Sequence, residues 1–179
     1  NTKDLSSDKT TTTTDMQYLA LANIKNGVID DELPYLKSDA EFSKRSNAFL
    51  KENDLIISKS GQPYKIAVAN PRPEQHIIPS GNMYVIELDT NKVSPYYIKS
   101  FFESQRGKAL LNSRSNRASI INISLEELQK IEIPVPSLAT QRKVANAYLA
   151  RVDEYKSYQS KLEDAISRLN SVFDDNYKD

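Results

Sequence analysis

The side chains of this chain that could act on a ligand gather in its middle third. The stretch SKSGQPYK (58–65) sets Lys59, Ser60, Gln62, Tyr64 and Lys65 around a glycine corner. SQRGK (104–108) and NSRSNRAS (112–119) add Arg106, Lys108, Arg114, Asn116 and Arg117. These residue types suit duplex DNA. Lys and Ser pair with phosphate oxygens, Gln and Asn match the major-groove edge of adenine, and Arg matches that of guanine. Lys59, Lys65, Arg106 and Lys108 are therefore expected to position phosphates, and Gln62, Arg114, Asn116 and Arg117 to meet base edges. Tyr64 has two available uses, stacking on a base or packing inside, and packing is the commoner.

Taken one at a time, these are generic polar loops. Their charge says more. Residues 55–117 hold nine basic and four acidic side chains, whereas residues 1–54 hold seven basic and ten acidic, in a chain whose formal net charge is zero. The zero total removes the simplest argument for nucleic acid, a strongly basic domain. The lopsided distribution restores part of it, because the middle is the part that can face phosphate.

Catalytic chemistry finds no foothold. There is no cysteine, which excludes disulfides and thiolate metal sites, and His76 is the single histidine. It stands in PEQHIIP with no nucleophile motif beside it, so a Ser-His-Asp arrangement has no support. Zinc sites built from several imidazoles and thiolates are impossible within the chain. The four glycines are isolated, so no phosphate-cradling loop is spelled out. NPRP (70–73) departs from the Asn/Asp-Pro-Pro-aromatic loop of amino-methyltransferases, with Arg72 at the second proline and Pro73 at the aromatic position. EYK (154–156) has the Glu-x-Lys spacing of some nucleases but lies in a helical stretch, where a solvated face is the plainer reading. No catalytic residue, metal ligand or bound cofactor is therefore assigned.

The elements that must hold these loops read as follows. The length of 179 residues suits one domain with an appendage. Nothing resembles a secretory signal or a membrane span, and the missing initiator Met is read as the mark of a fragment or a processed chain. Residues 1–15, rich in Thr, Ser and Asp, read as disordered or as an edge of something absent. MQYLALANI (16–24) is β-compatible, KNG (25–27) signals a turn, and Ser38 with Glu41 could open a short helix over 38–49. DLIISKSG (54–61) and QPYKIAVAN (62–70) read as a strand pair, 71–82 as a loop with an apolar patch, and MYVIELD (83–89) as a strand. The spacing over 94–113, capped by Ser94 with Pro95 behind it, predicts one helix. SIINIS (119–124) is a short strand, SLEELQKI (124–131) a short helix, and IEIPVP (131–136) the last extended piece.

After Pro136 there is no Gly and no Pro. Val152, Tyr155, Gln159, Leu162, Ile166, Leu169 and Phe173 alternate three and four apart, the a/d seam of a heptad repeat. A narrow seam of that length calls for a partner helix. The alternative is a helix folded back on its own domain. The two prolines, which forbid both strand pairing and helix, act as a stiff elbow between a compact unit and a projecting helix.

Here the chain resembles a known family. IEIPVPSLATQRKVANAYLARVDEY (131–155) is similar to the junction in specificity subunits of type I restriction–modification systems. In that family a strand ends in Pro-x-Pro, a Gln follows five residues later and a long helix begins; Pro134, Pro136 and Gln141 stand at those positions. LKENDLIISKSGQPYKIAVA (50–69) is similar to another family segment, with Asp54 and Gly61 at the matching places. YLALANIKNGVID (18–30) and the run from Phe101 to Pro136 follow in the family's order. The likeness covers about residues 16–175. In the loop before IINIS, Arg117 and Ala118 stand where the family often carries a glycine.

The resemblance implies a mixed α+β target recognition domain over 1–136 and a spacer or dimerisation helix over 137–179. It implies sequence-specific recognition of double-stranded DNA on behalf of an adenine methyltransferase, with no catalysis by this chain. S-adenosylmethionine would sit on a modification subunit or an absent domain, and the restriction subunit is a further candidate partner. The helix would pair with a second copy or with another part of a parent chain, in the cytoplasm of a prokaryote. The rival expectation is a coiled-coil interaction module whose basic loops are merely solvated.

Overall fold

The computed structural model of the chain describes residues 16–36, 49–116 and 120–176, with side chains to 173. The segments read above as an N-terminal tail and as a helix over 38–49 fall wholly or almost wholly outside these residues. The described elements are strands β1 (Met16–Leu19), β2 (Ile24–Lys25), β3 (Val28–Ile29), β4 (Tyr35–Leu36), β5 (Leu55–Ser58), β6 (Ile66–Val68), β7 (His76–Pro79) and β8 (Met83–Ile86). Helices α1 (Pro95–Glu103), α2 (Gln105–Arg114), α3 (Leu125–Gln129) and α4 (Leu138–Asn176) follow. The architecture is mixed α+β, with small sheets leading into one long C-terminal helix.

β5 is the keystone of the sheets. Its four residues are all buried, and it lies between β6 and β8, antiparallel to both. Alternate side chains point to opposite faces of a strand. Ile56 accordingly joins one core with Leu19, Ile24, Leu50, Ile77 and Met83. Leu55 and Ile57 join a second core with Ile98, Phe102, Leu111, Ile123 and Leu128. A strand buried on both sides reads as a continuous apolar run, which is what LIIS spells. Asp54, buried just before it, accepts the Lys51 amide at 2.8 Å and holds the turn that feeds the strand. β1 lies antiparallel to β4 and parallel to β7 in a separate sheet. Between β2 and β3, Asn26 and Gly27 both take positive φ, 49° and 76°, the geometry that two-residue hairpin turns require and that Asn-Gly supplies.

Three expectations are corrected, and the last extended piece is placed. The segment 71–82 is more than loop, because His76–Pro79 pairs along its whole length with β1; its flanking prolines disguised a parallel strand. The region 94–113 is two helices. Ser104 leaves the helical region at ψ 161° and serves as C-cap of α1 and N-cap of α2, accepting from the Gly107 amide at 3.1 Å. A Cβ at Gly107 would collide with the backbone of Phe101 and Phe102, so only glycine allows this sharp restart. Among the described part of 119–124, the ladder is reduced to bridges at Asn122, to Ser60 on one side and Asn116 on the other. IEIPVP is extended but lies in no sheet; Ile131 and Ile133 pack on the second core instead.

The elbow is closed by one side chain. Gln141, 1% exposed, accepts the Ser94 amide at 2.8 Å and donates to the carbonyls of Lys92 (3.2 Å) and Pro136 (2.8 Å). The Tyr97 hydroxyl donates to the Pro134 carbonyl at 2.6 Å. Ser137 then caps α4 through the Thr140 amide. α4 runs for 39 residues, about 58 Å at the usual helical rise. Its first turns lie on α1, with Ala145 buried and the rings of Tyr96 and Tyr148 6.3 Å apart. From Ser160 every described side chain is exposed.

Two outcomes follow. Gln141→Ala leaves an amide and two carbonyls unsatisfied in a buried elbow and should destabilise the chain by about 1–3 kcal/mol per orphaned group at most. Urea denaturation measures the loss, and hydrogen exchange at the Ser94 amide should accelerate. Gly107→Ala should destabilise by more than its helix propensity gains, read as a lowered melting temperature; an unchanged or raised value contradicts the close approach.

Candidate nucleic-acid interface

The corner after β5 is built by backbone bonds. The amide of Ser58 donates to the Lys65 carbonyl at 2.9 Å, and the Lys65 amide returns to the buried Ser58 Oγ at 3.0 Å, closing the base of the loop. Gly61, at φ 109°, turns its apex, and Ser60, Gln62 and Pro63 are at least partly solvent-facing. The amide of Gly61 donates to the Ile121 carbonyl at 3.1 Å, and that of Ile123 to the Lys59 carbonyl at 3.0 Å. On its other edge the same segment exchanges amide and carbonyl bonds between Asn116 and Asn122, at 2.8 and 3.3 Å. The corner and the end of α2 are thus stitched to opposite edges of one short extended segment. The Tyr64 hydroxyl adds a side-chain tie to Ser115 Oγ at 2.6 Å. Ser115 passes its own proton to the Leu111 carbonyl, so Tyr64 is the donor.

The predicted residues divide by placement. Gln62 and Lys108 both line a hollow of about 240 Å³, together with Ile66, Phe102 and Leu111. Arg106 and Arg114 lie together in a separate shallow groove along α2, with Ser113 and Lys130. Lys59 rests over the Tyr84 ring, 5.0 Å from its centroid. Ser60 and Asn116 flank Asn122 in the ladder. Tyr64 is 9% exposed and packs in the second core. Lys65 turns inward, its ammonium donating to the carbonyls of Leu21 (2.6 Å) and Ile24 (2.9 Å). Arg117 lies outside the described residues.

Arg114 is not alone in its groove. Its guanidinium reaches Glu127 at 3.5 Å, and Lys130 grips Glu126 and Glu127, each at 2.8 Å. The hydrogen bond from Lys130, helped by the charges of Lys130 and Arg114, holds the Glu127 carboxyl below its ordinary range. Hydrogen bonds to Glu126, and then to Glu127, hold Lys130 above its own. These are exposed pairs, screened by water, so a phosphate can compete for either cation. Lys130 and Asn122 are not legible as site residues. Lys130 sits three and four residues after glutamates, which reads as ordinary helix pairing, and Asn122 declares itself only through the ladder.

His76 lies in β7 with its ring edge-on to Phe49, 5.0 Å away. Among the described residues no three His, Cys, Asp or Glu side chains converge as metal ligands, and no helix is long and apolar enough to cross a membrane.

The heptad seam of α4 splits in two. Val152, Tyr155 and Gln159 are half-buried; the first two face the β2–β3 hairpin, where the Asn26 amide donates to the Tyr155 hydroxyl. Leu162, Ile166, Leu169 and Phe173 are exposed by half or more. The first part of the seam is thus folded back on the domain, and the second part is exposed.

The family model of the type I restriction modification DNA specificity domain matches residues 1–166. The specificity subunit of the type I restriction enzyme StySPI from Salmonella potsdam is 26% identical over 166 residues, covering 82% of this chain and 36% of that protein. The chain spans about a third of the length of that curated relative. With a family match that takes in the sheets, the stitched loops, the elbow and most of α4, the chain belongs to the family of type I restriction–modification DNA specificity domains.

Proposed function

We propose that this chain reads one part of a double-stranded DNA site for a methyltransferase that it does not itself contain. The observation that carries the reading is the ladder at Asn122, which holds the 59–62 corner and the 114–116 loop side by side. Two loops rich in Gln, Asn and Arg, fixed at one spacing by backbone bonds, can address neighbouring base pairs without ordering themselves anew. Arg106, Lys108 and Lys130 border them and supply phosphate contacts. Gln62, Arg114, Asn116 and Arg117 are the base-facing group, with Lys59 and Ser60 at their edge. Tyr64 and Lys65 support the loops from below.

The partner set follows from the same reading. S-adenosylmethionine and the catalytic loop belong to a modification subunit or domain, and catalysis is absent here. The restriction subunit joins through that assembly. The exposed half of α4 pairs with a second helix, from another copy or from the rest of a longer chain, in the cytoplasm of a prokaryote.

The test is selection from a random duplex library at moderate salt, with the chain alone and with its modification subunit. A short motif should emerge; its absence even with the partner overturns the reading. Arg114→Ala should weaken binding by about 1–3 kcal/mol and relax one position of the motif, whereas Lys108→Ala should weaken all sequences alike and reduce the salt slope by about 1. Lys65→Met tests the inward lysine. It should lower folding stability by on the order of 1.5–3 kcal/mol, the range for a hydrogen bond to a charged group, and leave the motif of the folded fraction unchanged.

A further inference from the structure

The β2–β3 hairpin is small, yet its tip touches both α1 and α4. Beneath it lies Lys99 of α1, 1% exposed. Its ammonium is paired with Glu103 and stands over the ring of Tyr148 on α4, 4.6 Å from the centroid. A Cβ at Gly27 would overlap the Lys99 ammonium, so the turn presses directly on it. Above, about two turns further along α4 than Tyr148, Asn26 bonds Tyr155 and Asp31 lies 3.9 Å from Lys156. A buried ammonium is costly unless it is paired. This one has the Glu103 carboxylate of its own helix and the aromatic face of Tyr148 from α4.

The arrangement exceeds what packing needs. Apolar residues at both positions of the Lys99–Glu103 pair would fill the same space without charges to desolvate, and such whole-pair replacement is often neutral or stabilising. What an ammonium adds is direction. Its attraction to a ring face is strongest over the centroid and falls as the ring slides away. A slide of α4 across α1 would therefore be resisted along its whole course, where an apolar contact would re-form at a new register.

We propose that the Lys99–Tyr148 contact, wedged under the Asn26–Gly27 turn, fixes the direction in which α4 leaves the domain, and that Lys99 is a positioning residue for the projecting helix. The elbow at Gln141 anchors the start of α4. The brace at Tyr148 to Lys156 is a second anchor two to four turns later, and two anchors define an axis where one defines a pivot. This rests on the DNA reading only for its consequence, that the axis of α4 sets the separation between this reader and a second one.

The chain has no cysteine, so nitroxide labels can be placed cleanly at Val85→Cys on β8 and Lys161→Cys on the exposed part of α4. Pulsed electron-spin measurement of the full chain should give one narrow distance distribution. Lys99→Met and Tyr148→Leu should broaden it while hydrogen exchange at the Gly61 and Asn116 amides stays slow. Tyr148→Phe, which keeps the ring face and removes the hydroxyl, should restore the narrow distribution. Asn26→Gly, which tolerates the positive φ of the turn and removes the bond to Tyr155, should broaden it to a smaller degree. The proposal is overturned if Lys99→Met and Asn26→Gly both leave the distribution as narrow as in the parent chain, or if Tyr148→Phe broadens it as much as Tyr148→Leu. None of these readouts involves DNA, so they stand apart from the outcome of the library selection.

Discussion

Everything beyond the sheets hangs on how the Gln141 amide is satisfied. A chain leaving a domain through two prolines loses two backbone donors and any chance of sheet pairing at that point. What remains are carbonyls, and both prolyl carbonyls are answered, one by Tyr97 and one by Gln141. Gln141 also answers the Ser94 amide at the start of α1 and the Lys92 carbonyl before it. A single primary amide, with one acceptor and two donor hydrogens, thus joins the N-terminus of α1, the elbow and the first turn of α4. Glutamate would place a charge against two carbonyls, and an apolar residue would strand all three partners. The five-residue interval from Pro136 to Gln141 is the distance at which the first helical turn brings this side chain back over the elbow.

Much of this was legible before any coordinates. Asn26-Gly27 predicts a turn because few residue pairs tolerate two positive φ values, and the hairpin is there. Ser94, Pro95 and Ser124 announce helix starts through local chemistry that needs no tertiary context, and the Ser94 and Ser124 side chains accept the Tyr97 and Glu127 amides. The failures share a cause. β7 is bounded by prolines and finds its partner some sixty residues upstream in β1, a pairing no local window contains. The break at Ser104 depends on Gly107 meeting α1 in space. A periodic apolar pattern survives such a break, so the periodicity alone reads as one helix.

The site shows the same division. That the corner and the α2 loop are polar and both lie in the basic middle of the chain is plain from the sequence, and the ladder at Asn122 joins them. Which lysine points where was not. Lys65 has the sequence neighbours of a phosphate contact, yet two carbonyls from a segment about forty residues earlier claim its ammonium. Charge counting over a window treats such a residue as free, and only the fold reveals that it is engaged. Arg114 and Lys130 illustrate the milder case, in which acidic partners temper a basic groove without closing it.

The rungs at Ser60, Asn116 and Asn122 are made by main-chain amides and carbonyls. Main-chain groups are the same whatever side chain is attached, so the frame that holds the loops is indifferent to the letters written on them. On the function proposed above, substitution at Gln62 or Arg114 would alter what is read without disturbing how the loops are held. A protein that must follow a shifting target sequence gains from this separation: its vocabulary can drift through ordinary point mutation while its grammar stays in the backbone.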